Sequence, residues 1–521
     1  MPIDGGALDA LEHPLDLVLR VGLATKPDEL ALVSAEDRMT WRELDDASTR
    51  LANSYRDLGL ERGDRIASLM PNRTLLAVHY LAAFKAGLVV TPLNYRYAAP
   101  EIDHALEVSA ASALVVHAER ADDLAARRLA PRLPRGVITY GAAGASAPTV
   151  GALIARTGPQ IEMGSPDPSA PAAIFFTSGS TGPAKGVTHS LETLGWMTAS
   201  AVAGLELTRD DVFLPGSSMS HIGSFLWTFA TFAAGGQVVV ARTFDAHEIL
   251  PLLREHRPTV LAMIPAALTA LIRDHDVTST DFESLRLCRA GADKVSLELE
   301  AEFIELAGIL IDEGYGMTEV GIATLNPPSG VIKKGSIGPP IPGFSISVRD
   351  DDGGEVAPGE VGRVWIRTSS HTIGYWENPE ATAEIMRDGW LDSGDLVRAD
   401  DDGYLWFFGR KKQIIVHDGS NISPYEVEGA LVEHPDIALC GVVGIHDEVH
   451  GENVRAYVTL KEGCAPPSSA DLITFARERI GYKAPEEVVI LDEMPLNPTG
   501  KLDRVRLKRL AEEQLHPHGL D

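Results

Sequence analysis

Cysteine is nearly missing from this 521-residue chain: three occur, Cys288, Cys440 and Cys464, and no two form a Cys-x-x-Cys pair. That excludes a disulfide framework and a cysteine-based structural zinc site, and it fits a reducing compartment. Positive charge is also short, 46 Lys and Arg against 74 Asp and Glu, for a net charge of −28. So acidic a surface repels nucleic acid and anionic membranes, and the excess is spread along the chain rather than held in one tail. Long apolar runs are lacking too. The longest, residues 259–272, is interrupted by Pro265 and is too short to span a bilayer. Residues 1–10 carry Asp4 and Asp9 and no basic residue, unlike the charged opening of a secretory leader. The expectation is a soluble cytoplasmic protein, with length for three or four domain-sized units and no need of a staple.

Apolar strands and amphipathic helices alternate through the first half. Thr40 and Glu43 have capping-box spacing ahead of Leu44, Ala47, Leu51 and Tyr55 on one helical face. Residues 113–116, 238–241, 260–263 and 285–288 read as short buried strands. Such strands separated by helices predict largely parallel sheets covered on both faces, an α/β fold. From about Gly335 the pattern turns to short extended runs with tight turns, among them 361–367 and 404–408, which predicts a small β-rich unit. Ser423-Pro424-Tyr425-Glu426 predicts a helix start, with serine as cap and glutamate at the third position. The final hundred residues read as strand, turn, strand, helix, strand, and the boundary falls near Lys412.

The segment richest in chemistry is Phe176-Thr177-Ser178-Gly179-Ser180-Thr181-Gly182-Pro183-Ala184-Lys185-Gly186. A buried strand runs into small and hydroxyl residues and one lysine. Glycines let the backbone approach an anion, hydroxyls donate, and the lysine supplies charge, so phosphate is the natural ligand. A Walker A loop is excluded, because Ala184 and Gly186 flank the lysine where that motif needs glycine and a hydroxyl residue.

This segment resembles the phosphate loop of the adenylate-forming enzymes: acyl- and aryl-CoA synthetases, firefly luciferase and peptide-synthetase adenylation domains. Further segments of the chain are similar to that family's motifs, in the same order. They are residues 215–223, Tyr315-Gly316-Met317-Thr318-Glu319, Gly335-Ser336-Ile337-Gly338, Asp392-Ser393-Gly394-Asp395, Gly409-Arg410 and Asn497-Pro498-Thr499-Gly500-Lys501. The resemblance, closest to the acyl- and aryl-CoA synthetases, runs from about Thr40 to Arg504. It implies a large N-terminal domain, residues 1–411, made of two α/β subdomains and a small β-barrel-like unit. A small mobile α+β C-terminal domain, residues 412–521, would carry the catalytic lysine.

The implied reaction joins a carboxylic acid to the AMP part of ATP with release of pyrophosphate, then passes the acyl group to a thiol with release of AMP. The resemblance assigns Lys501 to bridging carboxylate and phosphate, Glu319 to magnesium, and Thr177, Ser178, Gly179, Ser180, Thr181, Gly182 and Lys185 to the β and γ phosphates. Catalytic candidates are thus Lys501, His221, Glu319 and Thr177. Gly291, Ala292 and Asp293 form the adenine turn, with Asp293 standing where a small residue is common. Gly314, Tyr315, Gly316, Met317 and Thr318 line the nucleotide, and Asp395 and Arg410 hold its ribose. His221 lines the acyl pocket with Ile222, Phe225, Ile322 and Ala323; none of these four is charged, which favours an apolar or aromatic acid over an amino acid. Lys412 is the implied hinge, and Gly419 lets pantetheine pass.

The implied cofactors are ATP, Mg2+ and coenzyme A, or the phosphopantetheine of an acyl carrier protein. Val416 stands where many CoA ligases have lysine, so carrier loading stays open beside CoA. A luciferase-like oxygenase and an inactive nucleotide-binding regulator are the remaining alternatives; Lys501, Glu319 and Asp395 together argue against the regulator. The acid's identity and any oligomer are open. Two segments with competing readings are set aside. His446 and His450, with Asp447 and Glu448, have metal-like spacing but sit between two strands, and Arg410-Lys411-Lys412 is too short a basic run for nucleic acid.

Overall fold

The computed structural model describes residues 3–4, 15, 18–120, 132–141, 148–156, 167–177, 184–243, 245–291, 295–417, 420–447, 449–497 and 501–515. Four sheets organise them. In the first, the parallel strands Pro171–Thr177, Val89–Leu93, Arg65–Leu69, Ala113–His117 and Val137–Tyr140 lie side by side. Lys185–Ser190 and Gly374–Tyr375 add antiparallel at the Pro171–Thr177 edge.

The second sheet has a parallel centre of Ile311–Met317, Leu287–Ala290, Val260–Met263, Val212–Gly216, Gln237–Val240 and Leu30–Ser34, with antiparallel strands at its ends. The strand expected at 285–288 is displaced by two residues: Leu287–Ala290 pairs with Val260–Met263 and Ile311–Met317, and pairing rather than local hydrophobicity fixes its start.

One large core joins the two sheets. The helices Thr74–Ala86, Leu191–Gly204 and Ile222–Ala234 contribute to it, and Thr74–Ala86 is buried at nearly every position. A helix apolar all round cannot face water. The amphipathic helix Trp41–Asp57 begins with the expected capping box: Glu43 N–H donates to Thr40 Oγ1 (3.2 Å) and Thr40 N–H to Glu43 Oε2 (2.8 Å). It buries Leu44, Leu51 and Tyr55.

The third sheet is antiparallel: Phe344–Arg349, Val361–Thr368, Trp390–Ala399, Met386–Arg387 and Leu405–Arg410. Ile3–Asp4 joins its edge from the far end of the chain, a pairing no local pattern announces. The fourth contains Ser420–Ile422, Ile415–His417, Gly451–Leu460, Ile437–Asp447 and Glu487–Ile490. Helices Pro424–Val432 and Ser469–Ile480 pack in one core with it, and Arg504–Leu515 in another.

Pro424 takes the first helical turn as expected, but the capping box at Ser423 does not form. Ser423 Oγ instead donates to the carbonyl of Phe408, and Glu426 accepts from Lys483 Nζ at 2.7 Å. Tertiary partners outcompete the local pair. His446 and His450 flank the hairpin between the two long strands, where Asp447 Oδ1 accepts the backbone N–H groups of Val449 and His450. Among the described residues no helix is long and apolar enough to cross a membrane.

Candidate active site

The phosphate-loop candidates hang between two paired strands. Thr177 closes Pro171–Thr177, Lys185 opens Lys185–Ser190, and the two residues face each other across the ladder. Thr177 and Lys185 are both half-buried. Ser178, Gly179, Ser180, Thr181 and Gly182 lie outside the described residues, as do Ala292, Asp293 and Gly419.

Lys185 Nζ sits 4.8 Å from the ring centroid of Tyr375, a cation–π contact. The Tyr375 hydroxyl donates to Glu319 Oε1 at 2.8 Å. Glu319 is buried, and burial pushes its carboxyl above the usual carboxylate range, with the Tyr375 hydrogen bond acting against that. Thr372 N–H donates to the Glu319 carbonyl (2.6 Å) and Thr372 Oγ1 to the carbonyl of Thr188 (2.6 Å), so residues 372–375 fasten the pentapeptide to the phosphate-loop hairpin.

The pentapeptide ends the strand Ile311–Met317. A Cβ at Gly316 would run into the carbonyl of Gly321, and one at Gly314 into the Arg289 guanidinium, so the strand passes its neighbours only as glycine. Arg289 forms a buried ion pair with Asp312, and Asn326 Nδ2 donates to Asp312 Oδ1 at 3.0 Å. This network ties the pentapeptide strand to Leu287–Ala290, at whose end Gly291 begins the expected adenine turn. The half-buried Thr318 offers its carbonyl to His189 Nε2 (2.8 Å), and burial holds His189 down to about 4, so the ring is neutral at physiological pH. Half-buried Met317 packs against the main core.

Tyr315 turns its hydroxyl to Asp395 Oδ2 at 2.6 Å, and Arg410 Nε lies 3.1 Å from Asp395 Oδ1. Burial pushes the Asp395 carboxyl up, while Arg410, Tyr315 and the Lys501 charge pull it back. The Tyr315 ring stacks on Phe407 at 6.2 Å, and Phe407 meets Tyr425 edge-on at 5.3 Å. An aromatic chain therefore runs from the pentapeptide to the helix Pro424–Val432.

His221 caps the helix Ile222–Ala234 by position only, without a side-chain bond to its turn. Asn94 Oδ1 accepts Arg96 N–H (2.9 Å), which aims the Asn94 amide at His221 Nε2, 3.2 Å away. Burial, with the Lys501 charge adding to it, holds His221 down to about 4. Lys501 is exposed and follows the candidate tip segment; its N–H donates to Asn497 Oδ1 at 3.1 Å. Its charge is felt at both His221 and Asp395.

Among the expected pocket residues, Ile222 is half-buried, while Ile322 and Ala323 are buried beside the pentapeptide. Phe225 lies wholly inside an aromatic cluster, stacked on Phe229 at 4.5 Å and edge-on to Phe175 at 5.1 Å. Lys412 is exposed on the short turn Lys411–Gln413, between the third and fourth sheets. Sequence reasoning missed Tyr375, His189 and Asn94. Tyr375 and His189 are brought to the site by strands paired at long range, and Asn94, just past the end of Val89–Leu93, by its contact with His221.

Residues 19–376 match the family described as AMP-binding enzyme, and residues 426–501 match the AMP-binding enzyme C-terminal domain. The chain belongs to the AMP-binding enzyme family. It is 33% identical over 492 residues to a feruloyl-CoA synthase of Amycolatopsis sp, covering 93% of this chain and 96% of that protein. It is 32% identical over 515 residues to the fatty acid–[acyl-carrier-protein] ligase ScoC of Streptomyces coeruleorubidus, covering 96% and 98%. ATP-bound MatB from Rhodopseudomonas palustris superimposes with a TM-score of 0.89 at 29% identity, covering 96% of this chain and 99% of that one. Apo MatB gives 0.78 at the same identity and coverage. The protein is an AMP-forming acid–thiol ligase of the acyl-CoA synthetase type: it activates a carboxylic acid with ATP to an acyl-adenylate and transfers the acyl group to a thiol.

Proposed function

We propose that the acid is apolar or aromatic, that coenzyme A is the thiol, and that the reaction runs in the cytoplasm between an N-terminal domain, residues 1–411, and a mobile C-terminal domain, residues 412–521. The observation that carries the reading is the cluster in which Tyr315 donates to Asp395 Oδ2 at 2.6 Å and Arg410 Nε lies 3.1 Å from Asp395 Oδ1, with the Lys501 charge felt at Asp395 and His221. The acid's carboxylate oxygen attacks the α-phosphorus of ATP and the bond to pyrophosphate breaks. Two anions meet in that step, so it needs charge stabilisation more than a base. Lys501 supplies it. Asp395 and Arg410 hold the ribose, the Thr177–Lys185 loop cradles the outer phosphates, and Tyr315 presents its ring to the base.

A buried carboxylate beside a phenol, with no soft ligand in the cluster, suits magnesium, which takes one or two carboxylates together with substrate phosphates. Glu319 would hold that ion, which supplies charge neutralisation on the triphosphate when bound. In the second step the thiol sulfur attacks the adenylate carbonyl and AMP departs. Lys501 must leave before a thiol enters, so the C-terminal unit turns about Lys412.

Neutral His221 and the uncharged Ile222, Phe225, Ile322 and Ala323 support an apolar acyl group and leave no anion to hold an α-amino group. The resemblance to feruloyl-CoA synthase points the same way. A second reading, loading of an acyl carrier protein, is favoured by the resemblance to ScoC and by the exposed Val416. A panel of aliphatic, aromatic and amino acids scored for pyrophosphate release tests the substrate class, with amino acids expected inert. AMP release with CoA compared with a holo carrier protein decides the acceptor.

A further inference from the structure

We propose that Tyr375 is a positioning residue for the ATP–magnesium end of the site. Its hydroxyl aims the Glu319 carboxylate, and its ring parks the Lys185 ammonium. The inference rests on the assignment of Glu319 to magnesium and Lys185 to phosphate.

Three elements fix the ring. Gly374–Tyr375 pairs with the strand that Lys185 opens, Tyr375 opposite Val187 and Gly374 opposite Thr188. Trp376 N–H donates to the Gly186 carbonyl at 2.7 Å and Ile373 N–H to the Thr188 carbonyl at 3.0 Å, so the backbone on both sides is held. The Thr372 N–H to Glu319 carbonyl bond fixes the backbone of the acid that the phenol grips. From this frame the hydroxyl reaches Glu319 Oε1 at 2.8 Å while Lys185 Nζ rests 4.8 Å from the ring centroid.

The two contacts do different work. The hydrogen bond engages one oxygen of a buried carboxylate and fixes the plane of the group, so a cation meets an oriented ligand rather than a rotating one. The cation–π contact holds a flexible lysine near the loop mouth and lowers the ordering cost when phosphate arrives. Tyr375's side-chain contacts, Glu319 and Lys185, belong to the candidate triphosphate end of the site rather than to the acyl-pocket or ribose candidates. Its loss should therefore be felt by the triphosphate alone, and through magnesium when only the hydroxyl is removed.

The test is calorimetric titration of the full-length protein with ATP, without any acid, in excess Mg2+ and again in EDTA. Tyr375→Phe keeps the ring and removes the donor. It should weaken ATP binding roughly 10-fold in Mg2+, as for a hydrogen bond to a charged group, and leave binding in EDTA within about twofold. Tyr375→Leu removes the ring as well and should weaken binding in EDTA by about two- to tenfold, the range of a cation–π contact. Glu319→Gln should reproduce the magnesium-selective loss. If Glu319→Gln is selective but Tyr375→Phe is unchanged, or equally weakened in both buffers, the inference on Tyr375 is wrong and the magnesium assignment stands. If Glu319→Gln shows no selectivity, the assignment itself fails and the inference with it. ATP affinity in EDTA doubles as the folding control for Tyr375→Phe and Glu319→Gln, and the thermal unfolding midpoint is the control for Tyr375→Leu.

Discussion

Tyr315 donates to Asp395 across 2.6 Å, joining the outermost parallel strand of the second α/β sheet to the antiparallel sheet at the ribose candidate. The phenol is one of the groups that pull this buried carboxyl back down against the upward push of burial. Tyr315→Phe removes it, so the Asp395 carboxyl rises further. If Asp395 holds the ribose as proposed, protonation removes an acceptor for the sugar hydroxyls, and AMP affinity should fall. The fall should be larger toward pH 6 than toward pH 8, because the rise enlarges the protonated fraction on the acid side. Titration of AMP at several pH values reads this directly.

Lys501→Ala separates the half-reactions. Acid-dependent pyrophosphate release should drop by at least about 100-fold, on the order of 3 kcal/mol of barrier, as for loss of one well-placed donor. Thioester formation from supplied acyl-adenylate should persist if, as proposed, that step proceeds with the lysine withdrawn. Near-normal pyrophosphate release in this variant would remove Lys501 from the first step.

Three residues beyond Lys501, Arg504 grips Glu428 with two bonds, 2.6 and 2.8 Å, and lies 4.7 Å over the Tyr425 ring. Both partners are mostly buried. Arg504→Ala leaves the Glu428 charge without this partner and should cost about 3 kcal/mol in the C-terminal unit. Faster hydrogen exchange over Ile437–Asp447, with exchange in the two large sheets unchanged, is the expected result.

Three buried histidines make the fold sensitive to acid. His79 is held down to about 3, and His189 and His221 to about 4, each by burial. Below the ordinary histidine value near 6.5, the unfolded chain takes up protons that these rings refuse, so stability falls as pH drops from about 6.5 toward 4. The raised carboxyls of Glu319 and Asp395 act in the opposite direction at the bottom of that range. His79→Asn keeps an acceptor for the Tyr55 hydroxyl, now 2.8 Å from His79 Nδ1, and cannot titrate. Between pH 7 and 4.5 it should lose about 2 kcal/mol less stability than the parent in urea unfolding.

Local signals were legible where one segment carries its own chemistry. The Thr40 cap is complete within four residues, and the glycines of the pentapeptide strand are required by what passes beside them. The phosphate loop and pentapeptide were readable as motifs, and the fold brings their ends together at Tyr375. Tyr375 itself was not readable. Its importance comes from an antiparallel pairing with residues nearly two hundred positions earlier, and nothing in a short window encodes that register. Ser423 shows the converse: a correct capping pattern whose two partners found better ones elsewhere. Asn94 and His221 meet only because two sheets share a core.

Both ends of segment 178–184 are secured in one two-stranded ladder, Thr177 opposite Lys185, rather than one end in a strand and the other in a helix. Its feet are thus set at the spacing of adjacent strands, about 4.8 Å. Lengthening or shortening that stretch would alter its reach while leaving the platform beneath it intact. If the stretch holds the outer phosphates as proposed, a lineage could retune that grip there without rebuilding the sheet.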